Sequence, residues 1–598
     1  MIVTRTTQSG IVHTQQTGGR MLAVRGQSGQ VPGHMRGGAG RFVRGLKALA
    51  LASALTGMGV GLAPGAAWAQ VSAPVASPAS TPVSTQAAVA AQSSATVSAP
   101  PARAVPSVVR RNGADRPLPV ADRALVEDLE HRTFDWFWDS ADPTNGLVPD
   151  RFPSDQTQSS VASVGFALTA YGIGVSRGYI TREQAVSRTL LTLRTMLRLP
   201  QNATEDQTSG YHGFFYHFLD HKTGLRLNHD IELSSIDTAL LMQGVLFTRS
   251  FYTADTVEER EIRQLADTLF NRVDWRWMLR PDNRMSMGWS PEHGFLANYW
   301  EGYSEGMMLY ILGLGASTSA LEPVSWQAWL STNAQRWGNS YGQTFLNFAP
   351  LFGHQYTHAW IDFRGIRDDW SRQKQIDYFE NSRRAVYAQR NYAEANPGKW
   401  HDYGPNVWGL TASDGPAETT RTEDGQPRKF MSYSARGVGR DYTLDDGTLA
   451  PTAAGGSIAF APEIALPALR TMKSRYGQRI YGQYGFVDAF NPSYHESGQQ
   501  AYWADNTYLG IDQGPILLML ENWRTGLVWD TMKTSDVIRR GLERAGFTGG
   551  WLGRPDAQGA SGHNAAPAHA SAGTGHKDAA AAEPVHAGGV VQGASQPG

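Results

Sequence analysis

Eleven stretches between residues 118 and 552 carry leucine or aromatic residues at three- and four-residue spacing, which commits most of the chain to helix. They are Ala121–Ser140, Val161–Arg177, Arg182–Leu199, Leu233–Phe251, Val257–Val273, Glu305–Ala316, Val324–Leu330, Ser371–Ala395, Pro462–Tyr476, Tyr508–Thr525 and Trp529–Ala545, with a twelfth expected near Val407–Ala412. Strands and helices do not alternate regularly, so a doubly wound sheet or a βα-barrel is excluded. Long loops at Pro200–His229, Asp274–Ala297, Gln343–Trp370 and Pro397–Gly456 hold most of the Trp, Tyr, His and Asp, and loops of such length are usually functional. About twelve helices with elaborate loops predict an all-α fold, an (α/α)6 toroid whose loops form a cleft at one mouth.

Composition narrows the function. A formal charge of −1 over 598 residues argues against a nucleic-acid binder, which would carry a basic face. Without cysteine there is no disulfide, no thiolate metal site and no cysteine nucleophile. Arg36, Arg41, Arg44 and Lys47 precede the apolar run Ala48–Ala63 and then Ala67-Trp68-Ala69. That order is a secretory signal with cleavage before Gln70, and Met35 is a plausible start. The run is short for a membrane span and broken by glycines, so no stable membrane insertion is expected after cleavage. The expected organisation is a leader and signal over 1–69, an Ala/Pro/Ser-rich linker over 70–117, a catalytic domain over 118–555 and an Ala/Gly/His tail over 556–598. The mature chain is expected in the periplasm or outside the cell.

Chemistry concentrates in Asn298–Met308, NYWEGYSEGMM. Glu301 and Glu305 sit four apart, a spacing that stacks carboxylates on one helix face. Trp300 and Tyr303 beside them are expected platforms for sugar rings. A glycosidase needs carboxyl groups on both sides of the scissile bond, so one helix face supplies at most one member of the pair. Glu232 heads the candidates for the other, with Asp237 close by as a binding group. His354 and His358, in His354-Gln355-Tyr356-Thr357-His358, lack the glutamate of a zinc-protease helix and are expected to bind sugar hydroxyls as neutral groups. Trp360, Arg364, Trp408, Asp446 and Asp512 complete the expected substrate contacts. Gly302-Tyr303-Ser304-Glu305-Gly306 matches a hydrolase nucleophile elbow without its strand. Gly172-Ile173-Gly174 reads as packing and Asp445-Asp446-Gly447 as a turn. No metal or cofactor is expected.

Several blocks occur together and in order: Gly146–Arg151, Gly213–Asp220, Glu232–Thr238, Gly302–Glu305, Trp360–Gly365, Asp446–Ser457 and Tyr508–Pro515. The set resembles the bacterial glycoamylase-like family, which contains secreted or periplasmic endo-β-1,2-glucanases and is similar to the transglycosylating domain of cyclic β-1,2-glucan synthases. The resemblance implies an (α/α)6 toroid and cofactor-free acid/base cleavage of a β-glucan, with an oligo- or polysaccharide as partner. It carries Glu232, Glu301 and Glu305 over as catalytic candidates and leaves their roles open. A retaining transglycosylase on the same polymer, a polysaccharide lyase and a non-catalytic glycan-binding protein are the competing readings.

Overall fold

The computed structural model describes residues 118–154, 158–495 and 501–553. The segments expected as signal, linker and tail lie outside the described residues.

Two kinds of helix alternate along the chain. Val120–Ser140, Arg182–Arg198, Val257–Asn271, Pro323–Leu330, Tyr378–Ala395 and Pro462–Ile480 each bury one face. Between them come helices buried over most or all of their surface: α1 Val161–Arg177, α2 Ser235–Phe251, α3 Met307–Gly315, α4 Phe352–Trp360, α5 Pro451–Gly455 and α6 Gly510–Arg524. A helix apolar on every side belongs inside other helices, and α6 packs on α1, joining the last buried helix to the first. Close approach needs glycine. A Cβ on Gly165 of α1 would meet Leu240 O at 2.3 Å, and one on Gly244 of α2 would meet Gly165 O at 2.1 Å. Gly172 and Gly174 are packing positions too, against Phe247 and Phe134.

The predicted helices and the observed ones differ in instructive places. Helix α4 falls inside a stretch expected to be loop, because an all-round buried helix shows no amphipathic period. Val407–Ala412 is extended, and Ala412–Ser413 pairs with Ser434–Ala435. The last predicted helix divides into Leu527–Met532 and Asp536–Arg544, the second capped by Ser535. The all-α expectation holds for the scaffold and fails for the loops, which fold into short antiparallel ladders. The largest has five strands in the order Gly210–Tyr211, Phe214–Tyr216, Leu233–Ser234, Gly288–Ser290, Gly294–Phe295.

Those ladders and the hydrogen bonds around them tie the starts of several helices to neighbouring segments. Ser160 and Ser234 cap α1 and α2. Val161 N–H donates to His217 O, His217 N–H to Glu232 O, and Gly510 N–H to Asp150 O. Thr357 Oγ1 donates to Glu305 O and Thr452 Oγ1 to Asp512 O. At the helix C-termini, Arg177 and Arg524 hold the buried Glu130 and Glu521. No helix among the described residues is long and apolar enough to cross a membrane.

Candidate active site

Glu232 immediately precedes the strand Leu233–Ser234 that leads into α2, so the ladder fixes its position. Its Oε1 lies 3.0 Å from His217 Nδ1, and its side chain is 31% exposed, the most open of the central acids. Burial pushes its carboxyl up, but the His217 charge and hydrogen bond outweigh this and hold it below the usual range. Asp237, in the first turn of α2, accepts from Ser234 Oγ at 2.5 Å and lies 3.6 Å from His217 Nε2. Burial raises it above its ordinary value despite that histidine.

Glu301 and Glu305 part company. Gly302 takes φ +67°, and α3 begins only at Met307, so neither glutamate stands on the helix as expected. Glu301 is paired with Arg284, while its carbonyl accepts from Arg336 Nη2 at 3.3 Å. Glu305 is buried with Oε2 lacking a hydrogen-bond partner among the described residues. Burial pushes its carboxyl up to about 7, and Asp237 adds to the rise. Glu301 is thus a structural ion pair, whereas Glu305 keeps a proton near neutrality.

A second acidic wall comes from Asp150, Asp414, Asp488, Asp505 and Asp512. Arg151 Nη1 bonds Asp414 Oδ2 at 2.6 Å, and Asp414 N–H donates to Asp488 Oδ2 at 2.7 Å. Burial and the neighbouring acids Asp512, Asp414 and Asp505 push Asp488 well above its ordinary range. Burial brings Asp512 to about 7. Asp488 Oδ1 and Asp512 Oδ2 are buried without hydrogen-bond partners among the described residues. Tyr356 of α4 joins the walls: its hydroxyl is within electrostatic reach of Asp512, Glu305 and Asp237. Asp414, Asp488 and Asp505 bring carboxylate oxygens within 4.8 Å of one another, as a cation would require, but Arg151 already supplies positive charge there. Glu205, His229 and Glu292 form another such group, nearer the surface.

Several expected contacts are instead part of the core. Trp300 is buried and donates from Nε1 to Ser235 Oγ at 2.9 Å, so it props the start of α2. Tyr303 is wholly buried, stacked on Tyr378 and bonded to Ser382 Oγ at 2.9 Å. His354 and His358 are wholly buried beside the same serine, and burial lowers them to about 4 and about 3, so both are neutral. Trp360 lies against Phe166 with Nε1 on Thr169 Oγ1, and Trp408 is equally enclosed. A ring with no exposed face cannot stack on sugar. Arg364 pairs with Asp362 and covers Trp529, among the helix C-termini. Asp446 spends both oxygens on Arg436 and on the N–H groups of Met431 and Thr448. Ser304 Oγ makes only turn contacts with Gly302 and Gly306, and Asp445 anchors a turn through Tyr392, Tyr403 and Gly447.

The residues that sequence reading passed over are Asp150, Arg151, His217, Tyr356, Asp414 and Asp488. Asp150-Arg151 and His217 lie inside the ordered blocks named above. Tyr356 lies between the two histidines and faces the acids that they do not.

The Glycoamylase family model matches residues 297–536. A solved structure from Bacteroides uniformis carrying the same glucoamylase description is 30% identical, with a TM-score of 0.63, and the match covers 73% of this chain and 100% of that one. The chain belongs to the glycoamylase family. The glycoamylase segment holds Glu305, Tyr356, Asp414, Asp488 and Asp512 but begins after His217, Glu232 and Asp237, and the coverage of the solved relative extends well beyond it. An endo-β-1,2-glucanase from Chitinophaga pinensis, solved with sophorotriose and glucose, is 27% identical over 73% of this chain and 100% of that chain, with a TM-score of 0.63. An exo β-1,2-glucooligosaccharide sophorohydrolase from Parabacteroides distasonis is 27% identical over 456 residues, 71% of this chain. The chain spans 58% of the length of that curated relative.

Proposed function

We propose that this glycoamylase-family chain is a glycoside hydrolase that cleaves a β-1,2-linked glucan, with Glu305 as general acid and Glu232 as general base. The observation that carries the reading is the contrast in surroundings: Glu305 Oε2 is buried without a hydrogen-bond partner among the described residues, whereas Glu232 is 31% exposed and bonded to His217. Glu305, buried and raised to about 7, keeps a proton for the departing glycosidic oxygen. Glu232, half-open and lowered by His217, is ionised and able to take a proton from water. Pairs of carboxyl groups driven apart in this way divide acid and base work in glycosidases. Asp237, Asp512 and Tyr356 are assigned to sugar hydroxyls, with Asp488 supporting Asp512. The linkage is taken from the two relatives whose names specify it. Alternation of half-buried and wholly buried helices, with α6 packed on α1, supports an (α/α)6 toroid with the acids at one mouth. The basic-then-apolar leader supports export to the periplasm or beyond.

Glu305→Gln and Glu232→Gln are each expected to lower kcat on β-1,2-glucan by about 10²–10⁴-fold, while oligosaccharide binding by calorimetry persists. Near-wild-type turnover in either variant removes that residue from its role. Anomeric NMR of the first product then reports whether water attacks directly or through a glycosyl-enzyme.

A further inference from the structure

We propose that His217 is a positioning residue that holds Glu232 by a hydrogen bond from Nδ1 and faces Asp237 with Nε2, fixing the direction and the charge of the base. The inference rests on the glycosidase reading above.

The clamp is built into the backbone. His217 N–H donates to Glu232 O at 3.0 Å, and His217 O accepts from Val161 N–H at the start of α1 at 3.4 Å. Its ring stacks on Phe218 with centroids 4.0 Å apart, which leaves it little freedom to turn. Nδ1 then meets Glu232 Oε1 at 3.0 Å, within hydrogen-bond distance, whereas Nε2 faces Asp237 Oδ2 at 3.6 Å, a charge contact without a hydrogen bond among the described residues. A Cβ on Gly288 would lie 3.0 Å from Glu232 Cγ, so the neighbouring strand closes the far side of that glutamate.

Both ring nitrogens therefore look at carboxyl groups. A neutral imidazole donates from one nitrogen only, whereas the imidazolium donates from both. The ionisable groups acting on the ring are Glu232, Asp237 and Asp150, three acids, and Asp150 is itself offset by Arg151 at 3.5 Å. Burial works against the charged ring, but Asp237 and Glu232 prevail and bring it to about 9. Held as a cation, His217 keeps Glu232 ionised, while burial, with Asp237 adding to the effect, leaves Glu305 its proton.

Two measurements test the clamp. In histidine-¹⁵N-labelled protein, the His217 ring is expected to titrate near 9 and to fall by at least one unit in Glu232→Gln; a midpoint near that of free histidine, or one unmoved by Glu232→Gln, overturns the proposal. In kinetics, His217→Phe keeps the ring stacking and removes both the Nδ1 hydrogen bond and the charge, and His217→Asn keeps a donor without charge. Each is expected to raise the acid limb of the kcat/KM profile by about one to three pH units, the effect of losing an adjacent opposite charge. Asn should retain more kcat than Phe. An unmoved acid limb in the Asn variant overturns the proposal even if the Phe variant fails to fold. If the wild-type chain hydrolyses no glucan, the functional reading fails, and the NMR titration still decides whether the clamp exists.

Discussion

Glu301 and Glu305 lie four residues apart and end in opposite chemical states: Glu301 is neutralised by Arg284, and Glu305 is buried with a free carboxyl oxygen. The turn at Gly302, φ +67°, separates them before the helix begins. The same relationship predicts different mutant behaviour. Glu301→Gln leaves Arg284 with one partner fewer, at a cost of about 1–3 kcal/mol of stability, and keeps kcat within a few-fold of wild type. Glu305→Gln keeps its fold and loses turnover. Thermal melts and steady-state kinetics on the two variants check this directly.

The pH dependence follows from Glu305. Its folded value of about 7 lies above the ordinary 4.5, so the fold favours the protonated form. That contribution is complete below about 4.5 and is lost as pH rises through about 7, on the order of 3 kcal/mol in full. Glu305→Gln removes this sensitivity, and its melting temperature is expected to fall less than that of the wild type between about pH 5 and pH 7. The alkaline limb of wild-type activity should follow the same proton. Equal pH dependence of melting in the two proteins contradicts the assignment.

Trp360 separates a sugar platform from a core residue. It has no exposed surface, and Nε1 bonds Thr169 Oγ1 at 2.9 Å. Trp360→Ala is expected to cost about 3–5 kcal/mol, and Trp360→Phe much less. In the Phe variant KM should stay at its wild-type value. A raised KM with unchanged stability would return Trp360 to the cleft.

Asp446→Asn is expected to destabilise by about 3–5 kcal/mol, the cost of leaving a buried guanidinium without its counter-charge. Arg436 is 0% exposed and Asp446 1%, so solvent cannot compensate. Urea denaturation measures it.

Much of the scaffold was legible because amphipathic helices write their period into the sequence: Arg182–Leu199 was expected and Arg182–Arg198 is observed. Helix α4 was hidden for the complementary reason, since a helix packed on every side has no polar face to mark its turns. The site was half legible. Glu232 and Glu305 stood out as acids beside helix starts. Their difference from Glu301 depends on Arg284, which is distant in sequence order from Glu305 and close in space to Glu301. The aromatic platforms were misplaced because Trp and Tyr near acids look alike whether they face a cleft or support it. Trp300 shows the second case, holding Ser235 rather than sugar. His217 was visible within an ordered block, but its two acidic neighbours, Glu232 and Asp237, lie in another block that the five-stranded ladder pairs with it.

The most direct test is to incubate the purified chain with linear β-1,2-, β-1,3-, β-1,4- and α-1,4-glucans and resolve the products by length. The account predicts release of short oligosaccharides from β-1,2-glucan, abolished in Glu305→Gln. Release from another glucan alone, or tight binding of β-1,2-glucan without cleavage, would contradict it.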